Sequence, residues 1–65
     1  MSKYYIDIRA SNPEMPYHRH GVYYFNFDHA LERAEYLIQH DLSIISIMIV
    51  ESRYGYEKII WEIVR

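Results

Sequence analysis

Cysteine is absent from the 65 residues, so neither a disulfide nor a thiolate zinc site can staple the chain. Glycine and proline number two each, which excludes a collagen-like repeat and a Gly/Ser linker, while the 51% apolar content excludes a disordered tail. No run of ~18 uncharged apolar residues exists to cross a bilayer. The first residues enter an alternating pattern without the charged, apolar and small-residue zones of a signal peptide, so a cytoplasmic chain is expected. A formal charge of −2 announces neither a basic nucleic-acid binder nor a strongly acidic nucleic-acid mimic.

Catalytic motifs are missing as well. There is no thiol nucleophile, no glycine-rich phosphate cradle and no Gly-x-Ser-x-Gly elbow. Glu32 and Glu35 could pair as carboxylates, but Arg33 stands between them and a solvated helix face explains them better. His18 and His20 have an i, i+2 spacing that an extended segment could turn toward a metal. Further ligands would be required, and the intervening Arg19 would repel the cation. His29 and His40 fall at opposite ends of one helix. The expectation is therefore a chain with no enzymatic activity, no metal and no cofactor.

What is present is strong patterning. Lys3 to Ala10 alternates, with Tyr4, Ile6, Ile8 and Ala10 on one face, and predicts a half-buried strand. Ser11 to Gly21 contains both prolines and predicts a loop, long for so small a domain. Val22 to Phe27 alternates again and predicts a second strand. Asp28 then stands as the helix N-cap. From His29 to His40, Ala30, Leu31, Ala34, Leu37 and Ile38 recur at helical spacing and form one narrow apolar stripe. Leu42 to Ser52 and Tyr56 to Val64 predict a closing hairpin around Tyr54-Gly55. A two-residue turn sets Glu51 opposite Lys58 and Val50 opposite Ile59, with Met48 beside Trp61 and Ile49 beside Ile60. The expected fold is a single α+β domain over residues 1–65, one helix packed on a small, mainly antiparallel four-stranded sheet, in the order β-β-α-β-β.

The hairpin is apolar on both faces. One carries Leu42, Ile44, Met48, Val50, Ile59, Trp61 and Ile63, the other Ile45, Ile47, Ile49, Ile60 and Val64. One helix covers only one face, and the Trp61-bearing face is the expected core. The remaining apolar patch then needs a cover. A second copy is the expected cover, making Ile45, Ile47, Ile49, Ile60 and Val64 a homodimer interface, with an exposed strand edge as the other route. The bland alternative is that the long loop folds back over the patch.

Tyrosine is over-represented, with eight copies. It is a rigid, half-polar residue enriched at protein interfaces, and it also stacks on nucleic-acid bases. Tyr17 and Arg19 in the long loop, extended by Tyr54 at the hairpin tip, are the expected partner-binding residues. Against this stands the reading of Met15 and Tyr17 as core plugs. The chain is thus expected to be a non-enzymatic protein-binding module. The alternative is a single-stranded nucleic-acid binder that stacks bases on Tyr5 and Tyr24, with Lys3, Arg9, Arg19 and Arg53 on phosphates. Its acidic balance weighs against that alternative.

With an aromatic-ended strand entering an alanine-bearing helix (Phe27, Asp28, Ala30, Leu31, Ala34) before a hairpin, the chain resembles small accessory proteins encoded by bacteriophages. Such proteins, among them anti-CRISPR proteins and uracil-DNA glycosylase inhibitors, often block host defence or repair enzymes. The resemblance implies an inhibitor of a host defence or nucleic-acid-processing enzyme. It carries no diagnostic motif and assigns no residue a role.

Overall fold

The structure, a computed structural model, describes residues 1–11 and 17–65. Five elements follow one another: β1 (Lys3–Ala10), β2 (His18–Arg19), α1 (Phe27–His40), β3 (Ile44–Arg53) and β4 (Tyr56–Val64). The strands form one antiparallel sheet in the order β2-β1-β3-β4, and α1 lies across one face, so the fold is α+β. Pro13, Glu14, Met15 and Pro16, expected in the long loop, lie outside the described residues.

The second strand differs from the expectation. Val22 to Phe27 contributes only an isolated bridge, Tyr24 to Tyr4, and the strand paired with β1 is His18–Arg19. The Tyr23, Phe25, Phe27 alternation leads into the helix instead. Asn26, and not Asp28, is the N-cap: its side-chain oxygen accepts from the backbone N–H groups of Asp28 (2.8 Å) and His29 (3.4 Å). Phe27 thereby becomes helical, and Asp28 places its charge in the first turn, where the helix dipole favours an acid. At the other end the Asp41 N–H donates to the Leu37 carbonyl. The Asp41 carboxylate accepts from the backbone N–H and hydroxyl of Ser43 (3.0 and 2.6 Å), turning the chain into β3.

The expected stripe is the face that α1 buries. Ala30 and Ala34 are fully buried, and their short side chains let the helix lie close to the sheet. Beneath them pack Ile6 and Ile8 of β1 and Ile44, Ile47 and Ile49 of β3, aligned by the Ile6–Ile49 and Ile8–Ile47 pairings. The Trp61-bearing face, expected to be the core, is therefore split: Ile44 and Trp61 pack with the core, whereas Met48, Val50 and Ile59 lie on the face turned away from the helix. Ile47 and Ile49 lie under the helix, whereas Met48 and Val50 point away from it.

A bulge in β4 explains the exchange. The hairpin register follows expectation at Glu51–Lys58 and Val50–Ile59, but Ile49 then pairs with Trp61 and Met48 with Glu62. Ile60 is the inserted residue. It brings Ile60 and Trp61 to the helix side together, where both pack against the core. The expected interface set is divided accordingly. Ile47 and Ile49 are core residues, Ile60 packs against the core, Ile45 is half-buried, and only Val64 is exposed.

Candidate functional site: an aromatic end beside a strapped sheet face

The sheet face turned away from α1 carries Tyr5, Asp7 and Arg9 of β1, Arg19 of β2, Met48 and Val50 of β3, and Glu57, Ile59, Glu62 and Val64 of β4, as the registers require. Arg19 crosses it. Its Nε donates to Asp7 Oδ1 at 2.9 Å, and its two terminal nitrogens donate to the Glu57 carboxylate at 2.7 and 3.0 Å. On the way the guanidinium lies 4.1 Å from the Tyr5 ring centre. One side chain thus ties one edge strand to the other over the apolar middle of the face. The Tyr17 hydroxyl shares a hydrogen bond with Ser46 Oγ (3.4 Å) at the far end of the same face. Tyr17 and Arg19 thus lie over the Met48, Val50 and Ile59 face, whereas the patch that the loop was expected to cover holds Ile47 and Ile49, which α1 buries.

The strap shifts both partners. Hydrogen bonding to Glu57, then to Asp7, holds the Arg19 guanidinium above its ordinary value, and the Arg19 hydrogen bond holds the Glu57 carboxyl below the usual glutamate range. The Ser43 hydrogen bonds lower Asp41 in the same way. A carboxyl with a depressed folded-state value stabilises the fold at pH above its unfolded value, and that contribution is lost as pH falls through the folded value. The wild-type melting temperature is therefore expected to drop as pH is lowered below 4.5, the ordinary value for glutamate. Arg19→Ala should flatten that acid limb by removing the Glu57 contribution, while the Asp41 contribution stays. A thermal melt series from pH 7 to pH 2 checks it, and an unchanged slope in Arg19→Ala would remove the strap from the account.

The expected partner-binding residues do not form one patch. Arg19 is engaged at the middle of the sheet. Tyr17 meets Ser46, whereas Tyr54 follows Arg53, seven residues further along β3 and roughly 23 Å away at ~3.3 Å per residue. Tyr54 instead stands at the hairpin tip, at the end of the sheet that also holds a group of contacting aromatic rings. Lys3, paired with Ser52 near the hairpin tip, places its ammonium 4.5 Å from the Tyr23 ring centre. Tyr23 meets Phe25 edge-on at 5.1 Å and Tyr5 at 6.0 Å. Arg53 lies 5.5 Å from the Tyr54 ring and pairs across the hairpin with Tyr56. Phe25, Tyr54 and Tyr56 are 64%, 81% and 82% exposed. The sequence pattern places Tyr23 and Phe25 in a strand and so conceals their part in this end. The only signal available was Asn26 as a competing N-cap.

Tyr54 also has an unusual backbone. Its φ is +52° and that of Gly55 is +82°, the pair of left-handed residues of a type I′ turn. Glycine takes this conformation freely and asparagine with little penalty, but a tyrosine there is strained.

Other features carry less chemistry. An open cleft of about 290 Å³ runs along α1 between Tyr24, His29, Glu32, Arg33 and Tyr36. The His40 ring stacks on Tyr36 at 4.1 Å and donates through Nδ1 to the Tyr36 carbonyl (2.8 Å). Among the described residues, no group of three or more His, Asp or Glu converges as a metal site, and no helix is long and apolar enough to cross a membrane. No protein-family model, curated protein or solved structure matches this chain.

Proposed function

We propose that the chain is a non-catalytic protein-binding module that engages its partner with the aromatic end: Tyr23, Phe25, Tyr54 and Tyr56, with Lys3 and Arg53 beside them. The carrying observation is Tyr54, an exposed aromatic side chain held in a left-handed turn position where asparagine or glycine would cost less. Backbone strain of this kind accumulates at functional positions. Rigid aromatic side chains with neighbouring cations are the residue types that dominate interface energies. An inhibitor of a host defence or nucleic-acid-processing enzyme is the sharpest form of this reading, and it rests on the likeness to phage accessory proteins.

A single-stranded nucleic-acid binder is the second reading, favoured by the Lys3–Tyr23 and Arg53–Tyr54 cation–aromatic pairs. Its original platforms are occupied, since Tyr5 lies under Arg19 and Tyr24 is half-buried and bridged to Tyr4. Base stacking would fall to Phe25, Tyr54 and Tyr56.

Protein capture from lysate on the immobilised chain tests the first reading. Phe25→Ala and Tyr56→Ala should each reduce retention of a specific protein by an order of magnitude or more, with melting temperatures nearly unchanged. Leu42→Ser, also on an exposed residue but at the opposite end, should retain it. Loss of retention by Leu42→Ser alone would overturn the assignment. A mobility shift with oligonucleotides that weakens steeply with salt would support the second reading instead.

A further inference from the structure

We propose that the outer edge of β4 pairs antiparallel with β4 of a second copy, in one register centred between Ile60 and Trp61. The inference is independent of the aromatic end. The outer edge of β1 is covered by His18–Arg19, by the His20 N–H bonded to the Ile6 carbonyl, and by the two hydrogen bonds between Tyr4 and Tyr24. Beyond β4 no described strand lies, although it runs nine residues and its Ile59, Ile63 and Val64 are 54%, 37% and 69% exposed. A long open edge with exposed isoleucine and valine side chains is a template for strand pairing.

The bulge decides the occupant. By register, Lys58, Ile60, Trp61 and Ile63 face the helix side, and Glu57, Ile59, Glu62 and Val64 face the strapped side. From Glu57 to Val64 the order of faces reads the same in both directions about the Ile60–Trp61 bond. Antiparallel pairing about that point sets Glu57 opposite Val64, Lys58 opposite Ile63, Ile59 opposite Glu62 and Ile60 opposite Trp61 of the second copy. Every residue then meets one on its own face, and no like charges are directly opposed. A regular strand from another protein would have to shift register at Ile60, as β3 does on the inner edge. A second copy carries the same bulge at the symmetric position and therefore pairs along the whole edge without any shift of register. The product is an eight-stranded sheet with both helices on one side and the Ile60 and Trp61 side chains continuous across the two-fold axis.

Sedimentation equilibrium of the full chain over a wide concentration range should show a reversible dimer. Ile59→Glu sets like charges opposite Glu62 twice per dimer and should weaken association by roughly tenfold relative to Ile59→Lys, which sets opposite charges there. Both variants remove the same exposed isoleucine, so their comparison isolates the cross-copy pair, and thermal melts report folding separately. Register is read with introduced cysteines. A mixture of Ile59→Cys and Glu62→Cys chains should form a disulfide-linked pair on oxidation. Neither variant alone should, because identical positions stand about 10 Å apart in this register, beyond disulfide reach. A chain monomeric at every concentration, equal association of Ile59→Glu and Ile59→Lys, or cross-linking within a single variant would each overturn the proposal.

Discussion

Ile47→Glu is expected to leave the chain unfolded. Ile47 is fully buried beneath α1 and pairs with Ile8 on one side and Ile63 on the other, and the buried residues of the core cluster are all isoleucine or alanine, with none to receive a carboxylate. Burying an unpaired charge there costs several kcal/mol. A 65-residue chain at ~0.05–0.15 kcal/mol per residue has roughly 3–10 kcal/mol in all. Ile47→Val, which removes one methyl group, should cost about 1 kcal/mol and remain folded. Circular dichroism and urea titration separate the two. A folded, merely monomeric Ile47→Glu would return this residue to an open interface and contradict the placement of the helix.

The distance between that result and the sequence-based expectation shows what kind of information was local. The apolar stripe from Ala30 to Ile38, the alternation of Lys3 to Ala10 and the Tyr54-Gly55 turn are set by neighbours in the chain, and all three were legible. The choice of sheet face was not. β3 is apolar on both sides, so its pattern does not distinguish Ile47 and Ile49 from Met48 and Val50. The bulge that returns Trp61 to the helix side arises from pairing between strands and leaves no mark in periodicity. Two residues of β2 are defined only by their contact with β1, whereas Tyr23 to Phe27 has a strand's alternation but ends in a helix cap at Asn26. At the candidate site, Tyr54 was legible because a hairpin tip is necessarily exposed. Phe25 was not, because its exposure follows from where the helix begins.

The other large effect is expected at Tyr54, and it has two components of opposite sign. Asparagine accepts the left-handed backbone that the turn imposes, so Tyr54→Asn should relieve strain and raise stability by about 0.5–1 kcal/mol, or a few degrees in melting temperature. The tyrosine ring makes few compensating contacts, being 81% exposed, with Arg53 as its cation neighbour. If the ring is a binding anchor, its removal should cost about 2 kcal/mol or more of partner affinity, a loss of roughly thirtyfold. Structural and recognition roles therefore predict opposite pairs of outcomes for one substitution.

Tyr54→Asn assayed at once for melting temperature and for retention of the captured partner is thus the most direct test of the aromatic end as the binding surface. The account predicts a higher melting temperature together with lost retention. A lower melting temperature with retention intact would make Tyr54 part of the scaffold and contradict the proposed function.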